Sequence, residues 1–291
     1  MDIIQKISED LSLKKKQVEA AVQLLDEGNT VPFIARYRKE LTSGLNDEEL
    51  RNLEEKLQYL RKLEERRESI LHSIEEQGKL TEELKKEILA ADTAVRLEDL
   101  YLPYKPKRRT RGMIAREKGL EGLAKALLLP CDNPEAEAEK YISPEKEVLT
   151  VTDALNYAKD ILAEDFSEDA RLREWIRNKS LKEGFICSSL KEKEETPESK
   201  TYENYFSYEE KVQSIPGHRI LALNRGEKEK ILSVKLRFPE EEILHYIEEQ
   251  VQVSKKGKCR PYLEEAIADS YKRLIAPSIE TEIRNILTEK A

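Results

Sequence analysis

Glycine is scarce in this chain, ten residues in 291, and no two stand at i,i+2 or i,i+5. That spacing excludes the GxGxxG turn that seats a dinucleotide and the GxxxxGK[ST] loop that wraps a nucleotide phosphate. No GxSxG occurs, so the strained nucleophile turn of the hydrolases is missing too. The three cysteines, Cys131, Cys187 and Cys259, are odd in number, far apart and never in a CxxC pair. A disulfide framework is not expected, and a reducing cytoplasm is the simpler setting. His72, His218 and His245 share no metal-ligand spacing with one another or with a cysteine. No catalytic residue, metal or other cofactor is therefore expected, and the chain reads as non-enzymatic. Apolar runs are short, as at Ala126-Leu-Leu-Leu-Pro130. A membrane span needs roughly 20 such residues, and the N-terminus has no signal-peptide core.

What the chain has instead is charge: 38% of residues are charged, the net charge is −8 and aromatics supply only 6%. Its mean hydropathy is −0.70. An acidic protein does not coat polyanions generically, because non-specific nucleic-acid binding is mostly electrostatic. Any such contact must come from a local patch. The clearest is Leu100-Tyr-Leu-Pro-Tyr-Lys-Pro-Lys-Arg-Arg-Thr-Arg111. Lys105, Lys107, Arg108, Arg109 and Arg111 can neutralise phosphates there, Tyr104 can stack on a base, and the prolines keep the segment out of a helix. The alternative is a solvated loop whose arginines pair with glutamates of the same molecule. A second patch, Phe33-Ile-Ala-Arg-Tyr-Arg-Lys39, places Arg36, Arg38 and Lys39 around Tyr37. Its plain reading is an amphipathic helix with Phe33, Ile34 and Tyr37 packed inward. A third, Lys255-Lys-Gly-Lys258 with Arg260, has the composition of a solvated turn.

Good helix formers dominate, and the pattern predicts a mainly α fold, an elongated multi-helical array with one or two short strands. Short helices are expected over Ile3–Ile7 and Lys14–Glu27, with a helix-turn-helix rhythm between them that includes Lys14–Lys16. Asn46 or Asp47 opens a long helix to about Gln77, roughly 45 Å at 1.5 Å per residue. Leu50, Leu53, Leu57, Leu60, Leu71 and Ile74 mark its apolar stripe, broken at Glu64 and Arg67. Trp175 reads as a core anchor. Residues 184–190 and 231–238 have strand character. The polar stretch 191–200 reads as a hinge, which divides the chain into 1–190 and 191–291.

Thr30-Val-Pro-Phe-Ile-Ala-Arg-Tyr-Arg-Lys-Glu40 resembles the N-terminal region of the bacterial Tex family of transcription accessory proteins. Leu45-Asn-Asp-Glu-Glu-Leu50, Leu97-Glu-Asp-Leu-Tyr-Leu-Pro-Tyr-Lys-Pro-Lys-Arg-Arg109 and His218-Arg-Ile-Leu-Ala-Leu-Asn-Arg-Gly-Glu227 agree with it, as do several shorter segments. The resemblance implies a helical, cytoplasmic protein with a helix-turn-helix-like element. It also implies RNase H-like and RNA-binding OB-fold domains beyond residue 291. Two roles follow as expectations. One is auxiliary binding of RNA or DNA through Arg36, Arg38, Lys39, Tyr104, Lys105, Lys107, Arg108, Arg109 and Arg111. The other is a scaffold that positions the remaining domains or docks on the transcription machinery. No membrane partner is expected.

Overall fold

The computed structural model describes residues 2–191, 197 and 199–291. It is mainly α-helical and packs as two compact units, divided between Tyr104 and Lys105.

The first unit contains α1 (Ile3–Leu11), α2 (Lys15–Asp26), α3 (Val31–Tyr37), α4 (Asp47–Glu76), α5 (Glu82–Ala90) and α6 (Ala94–Tyr101). The other five helices pack against α4. Its start is fixed locally: Asn46 accepts from the Glu49 amide, and Glu49 accepts in return from the Asn46 amide, both at 2.8 Å. Leu50, Leu53, Leu57, Leu60, Leu63, Ile70 and Ile74 are buried along one face, whereas Leu71 is half-buried.

The expected break in this stripe at Arg67 does not occur, because Arg67 is buried within it. Its guanidinium donates to the carbonyls of Ile88, Leu89 and Ala91 at the end of α5, and to Glu64. Helix ends leave carbonyls without partners, and a planar fork of donors meets that need inside an apolar seam.

The second unit is built around α10 (Val151–Glu168). Before it come α7 (Arg111–Glu117), α8 (Glu121–Leu127) and α9 (Pro134–Glu139). After it come α11 (Ala170–Glu183), β1 (Phe185–Leu190), β2 (Ser207–Lys211), α12 (Gly217–Lys228), β3 (Leu232–Arg237), α13 (Glu240–Val251), α14 (Arg260–Asp269) and α15 (Ala276–Lys290). A π-helical turn, Ser270–Ile275, joins α14 to α15 without a break. Ala154, Leu155, Ala158, Ile161, Leu162, Ala163 and Phe166 are buried on α10, which contacts α7, α8, α9, α11 and α14.

The strands form an antiparallel sheet in the order β2-β1-β3, with Phe185 opposite both Lys211 and Arg237. Among the described residues there are three strands, one more than expected. The charged sequence Ser-Tyr-Glu-Glu-Lys of β2 hid it, since an edge strand buries little. The expected division at 190/191 is not where the packing divides. β1 ends at Leu190 and pairs with strands on the far side, which places both in one unit. Most of the expected hinge, residues 192–196 and 198, lies outside the described residues. Trp175 anchors α11 to α13 by stacking on Tyr246, with ring centroids 3.7 Å apart and planes 6° from parallel. Glu282 on α15 accepts from two buried arginines of α11, Arg173 and Arg177, the latter at 2.7 Å.

Candidate nucleic-acid interface

In the first unit the chain leaves α3 through a tight run of turns. Ser43 (φ 52°) and Gly44 (φ 93°) are both left-handed, and Gly44 donates to the Lys39 carbonyl at 2.9 Å. Glycine meets that backbone at no steric cost. Thr42 and Leu45 are fully buried on either side, and Gln17 of α2 donates to the Ser43 carbonyl at 3.2 Å. The turn is thus fastened at three points.

This anchoring turns the intervening side chains outward. Ile34 is buried and Phe33 half-buried, as an inward-facing helix requires, but Tyr37 is 61% exposed and Leu41 59%. The expectation that Tyr37 packs inward is therefore wrong. Residue 37 closes a helix of only two turns, and the turn that follows leaves it no second layer to enter. Tyr37 rests on Phe33 at a tilt of 46°, with centroids 5.3 Å apart. The Arg36 guanidinium lies 6.0 Å from the Tyr37 ring and the Arg38 guanidinium 5.4 Å from the Phe33 ring. Arg36, Arg38 and Lys39 are exposed and form no ion pair among the described residues. Together with Glu40, Leu41, Ser43 and Gly44 they line an open groove of about 830 Å³. Leu41, Ser43 and Gly44 were not singled out in the sequence, and the only signal there was Gly44 itself.

The loop of the second unit is arranged differently. Glu164 and Glu168 stand one turn apart on α10 and both face the Lys107 ammonium, with Glu164 at 3.7 Å. Burial pulls that ammonium below the ordinary lysine value, against the supporting charge of Glu164. Arg109 pairs with Glu117 at 2.6 Å. Arg111 lies in the field of Asp160 and Asp269; burial raises the Asp160 carboxyl while Arg111 opposes it. Lys105 and Arg108 are exposed and unpaired among the described residues. Tyr104, in the first unit, is half-buried, and its carbonyl accepts from Gln77 at 2.9 Å. Of the nine sequence-predicted residues, then, Arg36, Arg38 and Lys39 share one groove. Of the five loop cations, Lys107 and Arg109 are paired with carboxylates of their own unit.

The remaining basic elements are modest. α1 and α2 meet through a turn at Ser12 (φ 54°), the helix-turn-helix rhythm expected there. Lys15 pairs with Asp2 at 3.3 Å, while Lys14 and Lys16 are exposed. In the third patch Lys258 donates its amide to the Cys131 carbonyl at 3.3 Å, and Arg260 pairs with Glu264. No group of three or more His, Cys, Asp or Glu among the described residues is placed to hold a metal ion. Likewise, no described helix is long and apolar enough to cross a membrane.

Residues 1–75, which include the groove, match the model of the Tex-like protein N-terminal domain. Residues 130–291 match the model of the Tex central region. The chain belongs to the Tex family. It is 42% identical over 299 residues to the transcriptional accessory protein Tex of Neisseria gonorrhoeae, covering all of this chain and 39% of that protein. Protein YdcI of Bacillus subtilis is 45% identical over 289 residues, 99% of this chain and 40% of its own length. The human S1 RNA-binding domain-containing protein 1 is 33% identical over 306 residues, with 100% and 30% covered. The chain thus spans 40% or less of the length of these relatives. Its basic loop at 105–111 falls between the two matched regions.

Proposed function

We propose that this Tex-family chain is a non-catalytic, cytoplasmic helical module that lends an auxiliary nucleic-acid contact to a transcription accessory protein. One observation carries the reading: Arg36, Arg38 and Lys39 are exposed around one groove with no carboxylate pairing them among the described residues. In a chain of net charge −8, cations left free beside an exposed aromatic are suited to phosphate. Relatives named for transcription and for RNA binding support the same direction.

The test is a fluorescence-anisotropy titration of the 291-residue chain with RNA and DNA oligonucleotides over a salt series. Binding should weaken with salt, with a log–log slope of about −2 on single strands if three phosphates are neutralised. Arg36→Ala, Arg38→Ala and Lys39→Ala together should remove it. Absence of binding at low salt refutes the reading.

The loop at 105–111 favours a second role. Because Glu164, Glu168 and Glu117 already engage Lys107 and Arg109, this segment serves as an internal clasp, in keeping with a scaffold that positions other domains or docks on the transcription machinery. Phosphate competition for those cations would have to displace neighbouring carboxylates.

A further inference from the structure

The turn Lys255-Lys-Gly-Lys258 in the second unit brings two of the three cysteines together. Cys131, between α8 and α9, forms an isolated parallel β-bridge with Gly257, ahead of α14, and Lys258 donates its amide to the Cys131 carbonyl at 3.3 Å. Gly257 has φ 59°, and a Cβ there would sit 3.1 Å from the Cys131 carbonyl oxygen. Glycine lets the two backbones close this far without strain. Cys259 follows at the N-terminal cap of α14 and is fully buried, while Cys131 is half-buried. Their two thiols are free and are hydrogen-bonding partners. Four residues beyond Cys131, Glu135 accepts from Tyr262 at 2.5 Å, so the same two segments are tied a second time. Core packing accounts for Cys259, which belongs to the apolar core, but not for a second thiol laid against it from a partly exposed position.

We propose that Cys131 and Cys259 are a reversible redox pair, which hydrogen peroxide converts to a disulfide that staples the α8–α9 connection to the start of α14. Cys131 meets the oxidant, because it alone of the two reaches solvent. Its thiolate attacks one peroxide oxygen and the O–O bond breaks. The hydroxide that leaves takes up a proton as water, and Cys131 becomes a sulfenic acid. The Cys259 sulfur then attacks the Cys131 sulfur. The S–S bond forms, the S–O bond breaks, and hydroxide leaves with the Cys259 proton as a second water. Two electrons pass from the two sulfurs to the peroxide. The order follows from the environments: burial, and then the Cys131 thiol beside it, push the Cys259 thiol up to about 12. Cys259 thus stays protonated at neutral pH and serves as the resolving thiol. In a thiol-rich compartment the pair rests reduced and closes only under oxidative challenge. Closure ties residues 131–259, α10 included, into one covalent loop, which restricts the unfolded chain.

The test uses the 291-residue chain, fully reduced and then treated with hydrogen peroxide while folded. Thiol titration in denaturant should fall from three thiols per chain to one. Peptide mapping without reductant should find residues 131 and 259 joined within one chain, and dithiothreitol should restore all three thiols. Cys187, whose thiol donates to Glu209 at 3.7 Å on the sheet, is the internal control and should stay free. The oxidised chain should melt about 5 °C above the reduced one, in Cys187→Ser as in wild type. Cys131→Ser, at a half-buried position, should abolish both the bridge and the shift. Replacing the buried Cys259 risks the fold, so the wild-type peptide map carries that arm. Cys131 oxidised to a sulfinic acid beside a free Cys259 thiol refutes the pair, as does a disulfide that joins two chains or forms only in denatured protein. A 131–259 bridge that leaves the melting temperature unchanged refutes the staple.

Discussion

The guanidinium of Arg67 donates to the carbonyl of Ala91 at 2.8 Å from within the apolar face of α4, where it is 2% exposed. The same fork reaches Leu89 at 3.0 Å and Ile88. Arg67 thereby closes the C-terminal end of α5 from another helix. Arg67→Met keeps the stem and removes the donors, leaving buried carbonyls without partners, and should cost about 3 kcal/mol. Arg67→Lys should recover only part of this, since one ammonium does not reproduce the fork. Denaturant unfolding of the three proteins checks both outcomes.

The loop at 105–111 should separate into residues that matter for folding and residues that do not. Lys107→Ala leaves Glu164 and Glu168 facing each other without a cation and should lower the melting temperature by several degrees. Arg108→Ala removes an exposed side chain and should stay within roughly 0.5 kcal/mol of wild type. Thermal unfolding followed by circular dichroism distinguishes them, and equal effects would argue against a clasp.

Glu282 holds Arg173 and Arg177 to α15. Glu282→Ala removes a carboxylate shared by two buried guanidinium groups and should destabilise the second unit by about 3 kcal/mol. Arg225→Ala, which breaks an exposed pair with Glu229 four residues on, should leave the unfolding midpoint close to that of wild type, because solvent screens such a pair. Urea titration of each single variant measures the contrast.

Tyr262 on α14 donates to Glu135 on α9 at 2.5 Å. The hydrogen bond to Glu135, with burial, pushes the phenol from 10 up to about 12. The folded value is raised, so this bond's contribution to stability is present in full below pH 10 and is lost as pH rises through about 12. Glu135→Gln should move this tyrosine back towards 10, seen as an earlier rise in phenolate absorbance in a difference titration against wild type. An unchanged titration would mean that Glu135 does not hold the proton.

Much of this protein was legible in sequence order. The helix formers, the Asn46 cap and the leucine spacing of α4 announce its main elements, because each is a local property of neighbouring residues. Strands β1 and β3 were visible for the same reason, through their apolar alternation. β2 was not, since its five residues are charged or polar on an edge and only their partners make them a strand. The family motifs around residues 30–40 and 97–109 likewise mark the chain as Tex-like without any fold.

Tertiary structure decided what the charges do. Arg67 and Arg38 are the same residue type, yet one is buried against the carbonyls of another helix and the other is exposed beside Phe33, donating only to the carbonyl of its neighbour Tyr37. Lys107 and Lys39 both sit in basic runs, yet one meets two carboxylates from α10 and the other meets none among the described residues. Sequence fixes the charge of a side chain, but the groups that answer it come from helices 20 to 60 residues away, brought within 3–4 Å only by folding. A cation's role depends on that neighbour, because a nearby carboxylate or carbonyl spends its hydrogen bonds before any ligand arrives.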